Sequence, residues 1–176
     1  VPPRTVELVE AHGTGTKAGD VCEVEALRHV YGEASDDAGW CALGSVKSQI
    51  GHTKAAAGSA GLIKAVMALH HKVLPPTIKV DEPNPALKLT ESAFYLNTQA
   101  RPWVRDSSHP RRASVSSFGF GGSNYHVALE EYTGPGARRP RTRTQPYELL
   151  LVSADSAGQL IERCRALDLR PEGVAH

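Results

Sequence analysis

Two histidines sit in glycine-threonine clusters, "HGTGT" at residues 12–16 and "GHT" at 51–53, with "GSVKSQI" leading into the second. Histidine titrates nearest neutrality, so a neutral imidazole can give a proton or hold one at physiological pH. Neighbouring glycines let backbone N–H groups approach a substrate oxygen, and threonine hydroxyls can hydrogen-bond a polar substrate arm. Two neutral imidazoles aimed at one carbonyl, His12 and His52, are able to stabilise the enolate left when a carboxylate departs as carbon dioxide. Lys47 would set the local charge, and Glu23 could hold it. A third cluster, "FGFGG" at 118–122, supplies another glycine turn.

Each cluster has a plainer reading. A histidine at a strand end is more often structural than catalytic, and Glu23 could simply cap its helix. "GTGTKAG" fits neither the dinucleotide fingerprint nor the P-loop, and no HExxH, paired-cysteine spacing or GxSxG is present. His29, His70, His71, His109 and His126 are read as structural.

The elements that would carry these groups follow from periodicity. "RTVELVEAHG" reads as a strand broken by Gly13 and Gly15, which puts His12 at a strand end. Asp20 and Glu23 stand in capping-box spacing before "VCEVEALRHVY", predicting a helix of about three turns that Gly32 stops. "WCALGSV" predicts a buried strand. Residues 53–71 predict a helix whose glycines imply close approach to another backbone. "LPPTIKVDEPNPAL" must be extended or loop, and "AFYLNT", "RRASVSSF" and "NYHVALEEY" predict further strands. Strand, helix, strand, helix, then strands indicates an α/β domain with a mostly parallel sheet, so the histidine loops gather where ligand sites gather, at the carboxyl ends of strands.

Beyond Tyr132, "TGPGARRPRTRTQP" reads as a linker, followed by a strand in "ELLLVSA" and a helix in "SAGQLIERCRAL" capped by Asp155 or Ser156. The 20 Lys and Arg nearly balance 19 Asp and Glu, which argues against a nucleic-acid or membrane-surface binder. The longest apolar stretch is interrupted by Lys64 and too short to span a bilayer. Cys22, Cys41 and Cys164 lack the density of a disulfide scaffold, so a soluble, cytoplasmic setting is expected. Val1 opens on a strand already under way, from which we expect the chain to begin inside a larger polypeptide.

"VEAHGTGTKAGDVCEVEAL", "GSVKSQIGHTKAAAGSAGLIKAV", "LPPTIKVDEPNP" and "RRASVSSFGFGGSNYHVALEE", in this order, resemble the C-terminal half of a β-ketoacyl synthase (ketosynthase) domain of a modular type I polyketide synthase. The resemblance covers nearly all of residues 4–132. It implies domains at 1–132 (ketosynthase half), 133–146 (Pro/Arg-rich linker) and 147–176 (start of a small α/β linker domain leading toward an acyltransferase). The implied fold is half of a thiolase-like α-β-α-β-α sandwich, normally a homodimer. The implied activity is decarboxylative Claisen condensation, an acyltransferase reaction between an acyl-cysteine thioester and a malonyl-type extender on acyl carrier protein.

By the same resemblance His12 and His52 belong to a Cys-His-His triad, Lys47 organises the site and Glu23 is its carboxylate partner. Thr14 and Thr16 would hydrogen-bond the phosphopantetheine arm of the partner acyl carrier protein. Phe120 would be the gating residue of the glycine turn, with Gly121 beside it in an oxyanion hole. No metal, redox or other cofactor bound by this chain is implied. The family's nucleophilic cysteine lies in an N-terminal segment that this stretch does not contain, and none of the three cysteines here stands at a position that could replace it. A lone half would expose a large apolar face, so a companion N-terminal half is expected. The rival reading is a non-catalytic half-domain that docks or scaffolds a synthase assembly.

Overall fold

The computed structural model describes residues 1–35, 37–104, 109–137 and 151–167. The chain divides into two compact units, Val1–Pro140 and Arg141–His176.

In the first unit the strands β1 (Leu8–Glu10), β2 (Cys41–Gly44), β4 (Phe94–Leu96), β6 (Arg112–Phe118) and β7 (Asn124–Glu130) form one sheet in the order β4-β2-β1-β6-β7. Its first four members run parallel, and β7 returns antiparallel to β6. A two-stranded ribbon, β3 (Val73–Leu74) with β5 (Arg101–Pro102), stands apart from it. The mostly parallel α/β sheet is as the periodicity implied.

Alternation along the strands feeds two cores. Val9 of β1 and Cys41 and Leu43 of β2 pack with Val24, Leu27 and Tyr31 of helix α1 (Lys17–Gly32). Leu8 and Ala42 turn the other way, onto Ala65, Ala68 and Leu69 of helix α3 (Ala57–His71). The sheet is therefore sandwiched, because successive side chains point to opposite faces. Trp103, just after β5, seals the second core at 2% exposure and donates its indole N–H to Glu7 Oε2 at 3.0 Å.

Several boundaries differ from the sequence reading. The first strand shortens to three residues because Pro3–Thr5 make a 3-10 turn. Helix α1 starts a turn earlier than expected: Thr16 is its N-cap, accepting from the Gly19 N–H at 3.2 Å. The short helix α2 (Lys47–Ile50) falls inside what reads as loop. The glycines of α3 make room for side chains rather than a backbone, since a Cβ at Gly61 would stand 3.1 Å from Glu10 Cγ and 3.3 Å from Val115 Cγ1.

Helix α3 buries its small residues on the sheet and leaves Leu62, Ile63, Val66 and Met67 exposed. Strand β7 is exposed along nearly all its length, Tyr125 and Val127 included. An apolar surface of this kind is what a partner protein covers. Among the described residues no helix is long and apolar enough to cross a membrane.

In the second unit, helix α4 (Ala157–Arg165) is capped by Ser156, whose Oγ accepts from Gln159 N at 3.3 Å. The expected strand "ELLLVSA" lies outside the described residues at 148–150, and 151–154 have no regular secondary structure. Most of the linker, 138–146, also lies outside them.

Candidate active site

The loop after β1 and the loop after β2 are laced together at their bases. Ala11 N–H donates to Gly44 C=O at 2.8 Å, and Ser45 Oγ donates to Gly13 C=O at 3.1 Å. Short loops at adjacent parallel strand ends must meet, so His12 and His52 converge although 40 positions separate them. Their ring centroids lie 5.5 Å apart with the planes at 82°. Phe118, the last residue of β6, completes the cluster with its ring centroid 5.6 Å from that of His12.

His52 Nδ1 accepts from the Lys54 backbone N–H at 3.1 Å. The proton of a neutral His52 is thereby assigned to Nε2, where no partner among the described residues competes for it. His12 Nδ1 is buried and finds no hydrogen-bond partner among the described residues. Burial, then the charge of Lys47, then His52, push the His12 ring below its ordinary titration range. The ring is neutral at neutral pH, and a neutral imidazole polarises an oxygen without surrendering its proton.

Glu23 and Lys47 act on each other through their charges, without an ion pair between them among the described residues, and the Glu23 oxygens are taken up by backbone. Glu23 Oε1 accepts from the His12 backbone N–H at 2.7 Å and its Oε2 from that of Gly13 at 2.9 Å. Asp20 Oδ1 accepts from the Gly15 N–H at 3.1 Å in the same way. The acidic pair caps the histidine loop instead of the helix end, because the helix starts a turn earlier and its first two turns face that loop. Burial raises the Glu23 carboxyl above its ordinary value, against the two N–H donors. Lys47 opens α2 half-buried; burial lowers its ammonium, and Glu10 pulls it back more strongly than Glu23 does.

Thr14 and Thr16 are exposed, with hydroxyls 3.2 Å apart. Phe120 is fully exposed on the turn closed by Gly122 N–H to Gly119 C=O at 3.0 Å, and Gly121 is its neighbour. A cavity of about 350 Å³ is lined by Ala11, Gly13, Glu23, Ser45, Lys47 and Thr77 among others, with neither histidine in its wall. Cys41 is wholly buried in the sheet, its thiol pushed far up by burial, and Cys22 and Cys164 are exposed on helices. None stands at the start of a helix. No group of three or more His, Cys, Asp or Glu among the described residues is placed to hold a metal.

Sequence reasoning missed Phe118, Glu10 and Lys64. Lys64 Nζ lies 2.6 Å from Glu10 Oε2 in the core. The signals were a lysine inside an apolar helix and a glutamate two positions before His12.

Comparison with known proteins decides the family. The profile of the β-ketoacyl synthase C-terminal domain matches residues 1–81, and that of the ketoacyl-synthetase C-terminal extension matches residues 83–173. The chain belongs to the β-ketoacyl synthase family. This ketosynthase chain is 51% identical over 174 residues to a polyunsaturated fatty acid synthase protein of a Thraustochytrium species, covering 94% of the chain and 6% of that protein. It is 45% identical over 161 residues to polyketide synthase PksL of Bacillus subtilis, covering 91% of the chain and 4% of that protein.

Among solved structures, the ketosynthase from module 6 of the bacillaene synthase of Bacillus subtilis superposes with a TM-score of 0.72 at 49% identity, over 74% of this chain and 24% of that one. Ketosynthase twelve of the bacillaene synthase of Bacillus amyloliquefaciens gives 0.73 at 45% identity, over 75% and 23%. The expected C-terminal half of a thiolase-like fold is therefore the fold observed. The chain spans about a quarter of these ketosynthases and a few per cent of the multidomain synthases.

Proposed function

We propose that this chain supplies the decarboxylation machinery of a ketosynthase in polyketide-type biosynthesis, with His12 and His52 as the two donors. The observation that carries the reading is the meeting of two neutral-capable imidazoles 5.5 Å apart, with the His52 Nε2 proton free. A malonyl-type thioester would place its carbonyl oxygen between them. As the C–C bond to the carboxylate breaks, carbon dioxide leaves and the electron pair moves onto that oxygen, where both N–H groups stabilise it. The charge returns to carbon, which attacks an acyl-cysteine thioester. A C–C bond forms and the cysteine thiolate departs, which makes the reaction an acyl transfer.

This chain's other residues hold that geometry. Glu23 fixes the backbone that carries His12, and burial, aided by the charge of Lys47, keeps the ring unprotonated. The exposed Thr14 and Thr16 hydroxyls suit the amides of a phosphopantetheine arm, carried by the partner acyl carrier protein. The nucleophilic cysteine would come from an N-terminal ketosynthase half, which the exposed apolar face of α3 and β7 would accommodate. Phe120 and Gly121 stand on an exposed turn and would act as gate and oxyanion donor. A homodimer of the completed domain in the cytoplasm fits the same reading.

Release of labelled carbon dioxide from malonyl-acyl carrier protein by the complete synthase tests it. H12A and H52A are each expected to lower release by at least about a hundredfold. Release at the wild-type rate in both would overturn the reading and leave a non-catalytic docking element.

A further inference from the structure

Glu10 is the last residue of β1, two positions before His12, and its carboxylate bonds to two other elements. Its Oε2 accepts from Lys64 Nζ of α3, and its Oε1 accepts from the Val46 backbone N–H at the start of α2. The two side chains are 2% and 8% exposed. The fold leaves them room. Gly61, a turn before Lys64, makes way for Glu10, and Gly44, in register with Glu10, would carry a Cβ 3.5 Å from Lys64 Nζ and hard against Thr77 Oγ1.

A buried ion pair contributes little more than an apolar pair of the same volume, so stability alone does not account for it. What an apolar pair cannot do is accept the Val46 N–H. That bond ties the segment carrying Lys47 and His52 to the strand whose following loop carries His12.

We propose that Glu10, held by Lys64, is a positioning residue: its carboxylate anchors Val46 and so sets Lys47 and His52 against His12 without touching substrate. The inference rests on the reading of the two histidines as the decarboxylation pair.

Three variants of the complete synthase test it. E10Q/K64M removes the buried charges but keeps an amide oxygen for Val46. E10L/K64M removes that acceptor as well. V46P deletes the donor while keeping Glu10 and Lys64, at a φ of −61° that proline accepts, though it also trims the buried Val46 side chain. Each is read for thermal midpoint, carbon dioxide release from malonyl-acyl carrier protein, and acylation of the nucleophilic cysteine by mass spectrometry.

Relative to E10Q/K64M, E10L/K64M is expected to lose a few degrees of midpoint, because the Val46 N–H is left without its acceptor, and per folded molecule to release carbon dioxide at least about tenfold more slowly. Its KM and cysteine acylation should stay within about twofold, because the loss is one of alignment in the transition state. V46P should show the same selective loss. Equal release by E10L/K64M and E10Q/K64M overturns the proposal, and so does a parallel loss of release and acylation. Should E10L/K64M fail to fold, V46P decides: wild-type release refutes the anchor. H12A run alongside separates the two levels. Full activity in H12A sinks the underlying reading, whereas an inactive H12A beside an unaffected E10L/K64M sinks only the positioning role.

Discussion

Replacing Glu23 by alanine should destabilise the histidine loop by about 3 kcal/mol. The figure follows from two backbone donors, His12 N–H at 2.7 Å and Gly13 N–H at 2.9 Å, each bonded to a charged acceptor. Such bonds contribute about 1.5 to 3 kcal/mol apiece, and the lower value applies because burial already works against this carboxylate. E23Q keeps one acceptor oxygen and should lose about half as much. The assay is urea unfolding of the complete ketosynthase domain, with a double-mutant cycle to K47M. If Glu23 anchors backbone, the two substitutions add, with a coupling below about 0.5 kcal/mol. If Glu23 is instead the counter-ion of Lys47, E23A loses little in a K47M background and the coupling exceeds about 1 kcal/mol. That result, or a loss below about 0.5 kcal/mol for E23A alone, would refute the reasoning.

The pH profile gives a second check. His12 titrates below its ordinary value of 6.5, so carbon dioxide release should hold as pH falls through 6.5 and fail only lower, when the ring takes its proton. K47M removes a positive charge that helps keep the ring neutral, so the acid limb should move to higher pH; no movement would exclude that influence. Stability should begin to fall near pH 6.5, where the unfolded chain protonates first, and His126, also lowered by burial, shares that loss without shaping the activity profile. W103A removes a large buried side chain and orphans Glu7, so it should cost about 3 to 5 kcal/mol in urea unfolding. Carbon dioxide release per folded molecule should not change in W103A.

The sheet was legible because its strands are short runs of β-branched and apolar residues between glycine and proline signals, and the histidines were legible because each stands in a glycine-threonine cluster that comes after such a run. What escaped were features set by tertiary contact. Thr16 became the cap because the loop before it folds back on Asp20 and Glu23, which no local spacing encodes. Phe118 joins His12 across the sheet, from a residue 106 positions away in sequence that reads locally as the end of a strand. Glu10 looks like a polar residue on an exposed strand face until α3 is seen to cover it with Lys64. The ribbon of β3 and β5 is too short for any pattern to show.

The most direct test of the two-histidine claim is a structure of the complete domain with a malonyl-type thioester analogue that cannot lose carbon dioxide. The expected finding is the thioester carbonyl oxygen within about 3.2 Å of an imidazole nitrogen of both His12 and His52, with His52 donating from Nε2. A carbonyl oxygen more than about 4 Å from both rings, or held by Lys47 instead, would contradict it.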